Sequence, residues 1–215
     1  KEGHLYLEQE ILTEQVLEVL NKDLTFQAVT VQDVSNVLYR LVMQNSIVLD
    51  DEKVYTFRQF EAEEQTAAMI ARRILYPMES LDVETELVQA QKVLRITLSE
   101  KQKQAVRMVF ANPISIITGG PGTGKTTVLK VILYIHGMKC KSEVQLMAPT
   151  GRAARRMAES TGNQNASTMH MAMGLLGEDY TAEFAYLEAG FVNVDETSMV
   201  DMRLAYEFFQ RVKGN

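Results

Sequence analysis

The sequence predicts an α/β protein with a parallel sheet, preceded by a small helical, winged-helix-like module. Three observations lead to this fold class. From Leu98 onward, helical patterns alternate with short apolar strand patterns, which is typical of a parallel sheet. The stretch "GGPGTGKT", Gly119 to Thr126, fits the phosphate-loop pattern G-x-x-x-x-G-K-[ST]. Before Leu98, two helical patterns are followed by a hairpin pattern.

Composition restricts the class of protein. The chain has 215 residues, of which 46 % are hydrophobic, enough to bury an ordinary core. No stretch approaches about 18 consecutive apolar residues and no apolar leader opens the chain, so we expect no membrane partner and an intracellular, cytoplasmic location. The single cysteine, Cys140, and three scattered histidines predict neither an internal disulfide nor structural zinc. The first residue is Lys1, so we expect a piece of a longer protein.

Residues 1–58 predict the winged-helix-like module. Apolar residues recur at helical spacing in "LEQEILTEQVLEVL", and a second helix follows Thr30, an N-cap candidate with Asp33 three residues later. The runs "SIVL" and "VYTF", separated by Asp50–Lys53, predict a hairpin. Residues 1–97 hold 9 Lys and Arg against 17 Asp and Glu, whereas residues 98–215 hold 13 against 11. The acidic charge favours a packing role for this module over the alternative, direct reading of DNA.

Residues 59–97 predict a helix and a linker. The helical pattern from Phe60 to Leu75 stops before Pro77, and the acidic stretch that follows is weakly patterned. The domain that begins at residue 98 opens with a helix near Ser99–Phe110 and a strand at Ile114–Thr118. It continues with a helix from Gly124 and a strand at Val144–Ala148.

The phosphate loop predicts a nucleotide site. Its glycines let backbone N–H groups converge on phosphate oxygens, and the following helix adds its partially positive N-terminus. Lys125 supplies a cation to the phosphates, the Thr126 hydroxyl is a candidate Mg²⁺ ligand, and Thr127 is a candidate α-phosphate contact. Pro121 fixes φ within the loop. The alternative is a glycine-rich turn that happens to carry a surface lysine.

Two further segments favour hydrolysis next to a nucleic acid. Asp195 and Glu196 follow the apolar run "FVNV", where a strand would present a Mg²⁺-binding acid and a glutamate that activates water. In "APTGRAARRMAESTG", Arg152 and Arg156 are four residues apart and share a helix face suited to a sugar-phosphate backbone. The alternatives are two acids in a surface turn and a solvated basic helix face. Upstream, the Gln102 amide can pair with an adenine edge.

In this order, "LSEKQ", "GGPGTGKT", "APTGRAARRM", "STMH" and "VDETSMVD" resemble the successive motifs of superfamily-one DNA helicases of the RecD-like type, the exodeoxyribonuclease V alpha-subunit family. The stretches "EGHLYL" and "YTFRQFEAEEQTAAMIARRIL" resemble its stand-alone bacterial members. The resemblance implies that residues 98–215 form the first RecA-like motor domain, incomplete at its C-terminus. It also implies an ATP- and Mg²⁺-dependent motor that moves 5′ to 3′ on single-stranded DNA in repair and recombination.

The same resemblance assigns the site residues. The catalytic residues are Lys125, Asp195 and Glu196, and the metal ligands are Thr126 and Asp195. The nucleotide-binding residues are Gln102, Gly120, Pro121, Gly122, Thr123, Gly124, Lys125, Thr126 and Thr127. The residues along the DNA track are Pro149, Thr150, Arg152, Thr168 and His170.

The resemblance also implies a monomer whose second motor domain, with its arginine finger, is needed in cis. We therefore expect negligible ATPase activity from these 215 residues alone. Two other functions stay open at this point. One is a regulatory or scaffolding module that binds nucleotide without translocation, against which the Asp195–Glu196 pair argues. The other is a small-molecule phosphotransferase, for which the sequence offers no acceptor pocket or lid.

Overall fold

The computed structural model describes residues 4–22, 26, 28–76, 78–140, 142–163, 165–175 and 184–213. The chain divides into two compact units. Unit 1 comprises Lys1–Ala67 and Asp201–Tyr206, and unit 2 comprises Ala68–Val200 and Glu207–Asn215. Among the described residues, no helix combines the length and the apolar character that a membrane span needs.

Unit 1 is built from two helices and a small antiparallel sheet. Its elements, with a third helix that continues beyond the unit, are β1 (Tyr6–Glu8), α1 (Gln9–Asn21), α2 (Val31–Met43), β2 (Ile47–Asp50), β3 (Lys53–Thr56) and α3 (Phe57–Leu75). The strand order is β1-β3-β2, with Tyr6 opposite Tyr55 and Val48 opposite Tyr55 on its other side. Asp51, at φ 51°, lies in the two-residue turn between β2 and β3, so the predicted hairpin is confirmed.

The start of α2 follows from its first residues. The Thr30 side chain accepts a hydrogen bond from the Asp33 backbone N–H, and the Asp33 carboxylate accepts one from the Thr30 N–H. This reciprocal capping box is the arrangement predicted from the sequence. Val34 from α2 is buried together with Val54 and Tyr55 from β3.

Unit 2 contains a parallel sheet and the helices that pack on it. The elements after α3 are α4 (Glu84–Leu94), α5 (Glu100–Ala111), α6 (Lys125–Lys139), β4 (Val144–Ala148), α7 (Gly151–Thr161), β5 (Ala166–Thr168), α8 (Met169–Ala172), β6 (Phe191–Val194), a 3₁₀ turn (Thr197–Met199) and α9 (Met202–Arg211). The strand order is β5-β4-β6, and both pairings are parallel. The predicted fold class, an α/β parallel sheet of the P-loop NTPase type, is confirmed.

Two apolar clusters fix α6 in unit 2. Val128, Val131, Ile132 and Ile135 of α6 are buried against residues of α4 and α5. Leu129 and Leu133, on another side of α6, pack against Leu146 and Ala148 of β4 and Met157 of α7. The helix that follows the phosphate loop is therefore apolar on two sides, because it lies between the sheet and two further helices.

The strand predicted at Ile114–Thr118 is not present. This segment has no strand hydrogen bonds, and the parallel sheet of the described residues contains only β4, β5 and β6. Ile117 packs against the α4–α5–α6 cluster, whereas Ile116 is 75 % exposed. The apolar run therefore reflects packing of single residues. A β pattern needs a neighbouring strand before it becomes a strand.

The acidic stretch expected to be a linker contains α4. Leu87 and Ala90 of this helix are 1 % and 0 % exposed in the core, and Leu94 packs beside them. The Arg107 side chain of α5 hydrogen-bonds Glu84 at the start of α4 and lowers the pKa of that carboxyl group. The hydrophobic pattern of this stretch does not predict the helix, because one member of its apolar stripe is alanine, which contributes little to such a pattern. Pro77, the expected stop of the preceding helix, lies outside the described residues, and α3 ends at Leu75.

A buried histidine lies between the C-terminal end of α6 and the N-terminal end of β6. His136, near the end of α6, is 3 % exposed, and its Nε2 lies 3.0 Å from the Ser142 hydroxyl. The imidazole ring lies 5.2 Å from the ring of Phe191, the first residue of β6. Gly190 is required beside it, because a Cβ there would come within 2.5 Å of the Ser142 Oγ. These contacts join the C-terminal end of α6 to the N-terminal end of β6.

Candidate functional site

The phosphate loop precedes α6 and is open to solvent. Gly122 and Gly124 have φ angles of 75° and 84°, a conformation that glycine adopts without strain. A Cβ built on Gly120 or Gly122 would have no atom within 4 Å. Pro121 between them is exposed. The loop therefore presents bare backbone on one side, as close approach by phosphate oxygens requires.

Lys125 is folded back onto this loop. Its Nζ donates hydrogen bonds to the carbonyl oxygens of Gly119, at 2.6 Å, and Gly120, at 3.2 Å. The Thr123 hydroxyl also donates to the Gly120 carbonyl, at 2.9 Å. Lys125 and Thr126 are exposed and Thr127 is half-buried. The ammonium group thus lies at the loop carbonyls, within reach of any anion that the loop would hold.

The start of α6 fits a phosphate chain. Its first turn contains no acidic residue, which would repel phosphate, and the helix is 15 residues long. The first N–H groups of a helix have no partner within the helix and point toward its N-terminal end. Together with the open glycines, Lys125 and the Thr126 hydroxyl, this donor set suits the phosphates of ATP and a bound Mg²⁺ ion.

Gln102 belongs to the same loop environment. Its Nε2 donates to the Thr123 carbonyl at 3.0 Å, although the two residues are 21 positions apart. Its Oε1 accepts from the Ser99 N–H at 2.9 Å, and the Ser99 hydroxyl accepts from the Gln102 N–H. This cap was not among the predictions, although S-x-x-Q before a helix is a recognisable signature.

Asp195 and Glu196 leave the carboxyl end of β6. The Asp195 N–H donates to the Met147 carbonyl of β4 at 2.9 Å, which extends the ladder by one residue. The Asp195 Oδ1 accepts from the Glu196 N–H at 2.9 Å. Glu196 adopts the left-handed conformation, φ 54° and ψ 41°, and is exposed. Such a backbone is uncommon for a residue with a side chain, and it occurs preferentially at functional sites.

The direction of α6 places the loop and the acid pair at the same edge of the sheet. His136, near the C-terminal end of α6, contacts Phe191 at the start of β6, so the helix runs antiparallel to the strand. From Lys125 to His136 the helix rises about 16 Å, and β6 advances about 13 Å before Asp195. The loop at the N-terminus of α6 and the acids after β6 therefore lie toward the carboxyl edge.

The predicted DNA residues lie at the same edge. Pro149 and Thr150 follow β4, and the Thr150 hydroxyl caps α7 by accepting from the Ala153 N–H. Thr168 ends β5 beside Ala148 and caps α8 through the Met171 N–H. His170, in α8, is half-buried. A Cβ on Gly151 would lie 3.9 Å from the Thr168 methyl group, so the two helix starts are neighbours.

The arginines of α7 differ in their surroundings. Arg152, Arg155 and Arg156 are exposed. The Arg155 Nε is paired with the Glu159 carboxylate at 3.2 Å. No hydrogen bond or ion pair engages the Arg152 guanidinium within the part of the chain that the structure describes. The Arg156 guanidinium likewise has no such partner among the described residues, and Arg152 is the unpaired arginine that lies in the first turn of the helix.

The edge holds few carboxylates and no clustered ligands of the kind that transition metals use. Among the described residues, no group of three or more His, Cys, Asp and Glu side chains could hold a metal ion. A hydroxyl and one carboxylate, as in Thr126 and Asp195, suit Mg²⁺, which keeps several waters and takes substrate phosphates as further ligands.

Comparison with known proteins agrees with this geometry. The AAA domain family matches residues 102–215, which include Gln102, the phosphate loop and the acid pair. RecBCD enzyme subunit RecD of Haemophilus influenzae is 37 % identical over 137 residues, which are 52 % of this chain and 21 % of that protein. ATP-dependent RecD2 DNA helicase of Deinococcus radiodurans is 42 % identical over 83 residues, 39 % of this chain and 11 % of that protein.

A third relative covers more of the chain. RecBCD enzyme subunit RecD of Buchnera aphidicola is 27 % identical over 194 residues, 79 % of this chain and 31 % of that protein. The chain thus spans less than a third of the length of each of these relatives. More than half of the chain is matched by the AAA domain family, and these three relatives are RecD proteins. The chain therefore belongs to the AAA domain family, and its similarity to these relatives supports a fragment of the RecD-like helicase type.

Proposed function

We propose that the whole protein is an ATP-dependent helicase that moves 5′ to 3′ along single-stranded DNA. It would act as a monomer in the cytoplasm, in DNA repair and recombination. The observation that supports this proposal best is the shared carboxyl edge of the parallel sheet. A loop suited to phosphates, an acid pair and a helix start with an uncompensated arginine all face that edge. The name of one relative, ATP-dependent RecD2 DNA helicase, agrees with ATP-dependent helicase activity.

In this proposal, each residue at the edge has one task. Lys125 exchanges the carbonyl oxygens of Gly119 and Gly120 for phosphate oxygens when nucleotide binds. Thr126 and Asp195 hold Mg²⁺, which when bound neutralises charge on the β- and γ-phosphates. Glu196 orients the attacking water and accepts its proton. Thr127 contacts the α-phosphate.

The DNA track would run over the starts of α7 and α8. Arg152 contacts a phosphate by charge, while Thr150 and Thr168 place their helix N-termini beside the strand. Pro149 and His170 flank these contacts. Because α6 and α7 both pack on the cluster around Leu146 and Met157, hydrolysis at the loop would act on the DNA track through these side chains.

The first experiment replaces Lys125 with Ala in the whole protein. We expect unwinding of a duplex with a 5′ single-stranded tail to fall by about 100-fold or more, because a charged phosphate donor acts most strongly in the transition state. The control is Lys92→Ala, which removes an exposed lysine of α4. Both variants should keep the wild-type far-UV circular dichroism. Unwinding by Lys125→Ala at the wild-type rate would refute the assignment.

The choice of DNA substrate also tests the direction of translocation and the class of protein. A duplex with only a 3′ tail should not be unwound, and equal unwinding from both tails would refute the 5′-to-3′ direction. Nucleotide binding without unwinding or DNA-stimulated hydrolysis in the whole protein would favour a regulatory or scaffolding module instead.

A further inference from the structure

The Gln102 side chain connects two backbone segments that are distant in sequence. At one end, its Oε1 accepts from the Ser99 N–H at 2.9 Å, within the cap of α5. At the other end, its Nε2 donates to the Thr123 carbonyl at 3.0 Å, within the phosphate loop. Both polar atoms of the amide therefore bind the chain itself. An amide oxygen keeps a second lone pair and the amide nitrogen a second hydrogen, so contact with a base is still possible.

The peptide that Gln102 holds determines the shape of the loop. Thr123 hydrogen-bonds the Gly120 carbonyl through its hydroxyl, at 2.9 Å. Gly124, with φ 84°, then turns the chain into α6, whose first residue is Lys125. A Cβ on Gly124 would lie 2.5 Å from the Gln102 Nε2, so the amide lies directly against this turn. The orientation of the first N–H groups of α6 depends on the same turn.

We propose that Gln102 is a positioning residue for the phosphate chain, acting through the Thr123 carbonyl. It holds the Thr123–Gly124 turn in the conformation that directs the N–H groups at the start of α6 and Lys125 toward phosphate. This role rests on the proposed function and goes beyond the adenine contact that the family resemblance implies. It contributes to binding of any nucleoside triphosphate, whatever its base, and of a triphosphate chain without a base.

The test compares three Mg²⁺-bound ligands: ATP, GTP and inorganic tripolyphosphate. Their affinities are measured by isothermal titration calorimetry with the whole protein and with its Gln102→Met variant, which keeps side-chain length and removes the amide. We expect all three affinities to fall by a similar factor of about 3 to 10, the value of one hydrogen bond. If only the affinity for ATP fell and the affinity for tripolyphosphate were unchanged, Gln102 would act by contacting adenine, and the inference would be overturned.

The matched control is Ser99→Ala, which removes the hydroxyl of the cap but leaves the bond from Gln102 to Thr123 in place. We expect this variant to lower the free energy of unfolding and to bind tripolyphosphate like the wild type. An equal loss of tripolyphosphate affinity in both variants would assign the effect to helix stability and overturn the inference. If Gln102→Met does not fold, Gln102→Ala is measured with the same ligands and the same expectations.

The outcomes separate the inference from the function on which it rests. Base-selective loss in the Gln102 variants overturns the inference alone, because the wild-type chain then still binds nucleotide. Failure of the wild-type whole protein to bind any of the three ligands overturns the proposed function and the inference with it.

Discussion

Among single residues, His136 is a titratable side chain in a buried environment. Its ring is buried between α6 and β6, its Nε2 contacts Ser142, and its Nδ1 has no hydrogen-bond partner among the described residues. Burial lowers the pKa of this imidazole below its ordinary value. A neutral ring is therefore favoured in the folded chain, because a charge there would lose its hydration without gaining a partner.

This burial predicts a pH dependence of stability. As pH falls below about 6.5, the unfolded chain takes up a proton at His136 that the folded chain does not accept. The contribution to stability is thus fully present above that pH and is lost toward the lowered folded-state pKa. We expect the free energy of unfolding in urea to fall more in the wild type than in His136→Leu between about pH 7.5 and 5.5. Identical pH profiles would contradict this prediction.

The sequence predicts which residues are candidates for the site, whereas it does not predict their contacts. The glycines with positive φ, the threonine caps and the S-x-x-Q signature all depend on local chain geometry, which short motifs encode. The hydrogen bond from Gln102 to Thr123 joins residues 21 positions apart and depends on how α5 packs against α6. The roles proposed for the site residues stay predictions until the variants are measured.

At the scale of one element, α7 presents a charge in an unfavourable place. Arg152 lies in its first turn, where the helix dipole is positive, so its charge costs the helix about 0.3–1 kcal/mol. Arg155, one turn later, is offset by Glu159. Binding to an external anion would account for a cation at a position where it destabilises its own helix, whereas a solvated basic helix face would not.

This placement predicts opposite effects on stability and on DNA binding. We expect Arg152→Ala to raise the free energy of unfolding by about 0.3–1 kcal/mol. Its affinity for single-stranded DNA should fall, and the slope of log affinity against log salt should decrease by about 0.7, the value of one phosphate contact. Urea unfolding and fluorescence anisotropy with a labelled oligonucleotide at several salt concentrations measure both effects.

Arg155→Ala is the matched control for this helix. Because its guanidinium is already paired with Glu159, the variant should change the salt slope less than Arg152→Ala does. A salt slope for Arg152→Ala equal to that of the wild type would exclude a phosphate contact at this residue.

The elements differ in how well their sequences predict them. β4 was predicted at its observed bounds because an apolar run there coincides with a strand that has two neighbours. The run at 114–118 has similar letters but no paired neighbour among the described residues, and pairing cannot be read from one segment. The case of α4 is the reverse, because this helix forms without a clear apolar pattern. The residue at the centre of its buried stripe is an alanine, which contributes little to such a pattern.

At the scale of the whole molecule, the division into two units leads us to expect that nucleotide stabilises unit 2. The loop, Gln102 and the acid pair all belong to unit 2. A ligand that binds only the folded state, at about 100 times its dissociation constant, stabilises it by about 2.7 kcal/mol. We expect Mg²⁺ and ATP to slow amide hydrogen exchange in residues 119–128 and at the start of α5.

The control for this measurement is Lys125→Ala, in which the same protection should be weaker at equal nucleotide concentration. Amides of β1, β2 and β3, which contain no predicted nucleotide contact, should exchange at unchanged rates. Protection by ATP in that sheet, with none in the loop, would place the nucleotide site elsewhere.

The sequence predicts that a small module precedes an α/β domain, but it does not predict the residues at which the compact units begin and end. Motif order identified the α/β part because catalytic segments follow one another in a fixed sequence along such a sheet. The boundaries proposed at residues 58 and 97 stay predictions. Compact units are defined by contacts between distant residues, as when Asp201–Tyr206 groups with the first 67 residues, and no local pattern encodes that grouping.

The left-handed backbone of Glu196 places two selective pressures in opposition. A glycine there would adopt φ 54° without the strain that a side chain introduces. It would also remove the carboxylate that the proposed hydrolysis requires. Low backbone strain and the proposed turnover therefore favour different residues at this position, a conflict of the kind that is common at active sites.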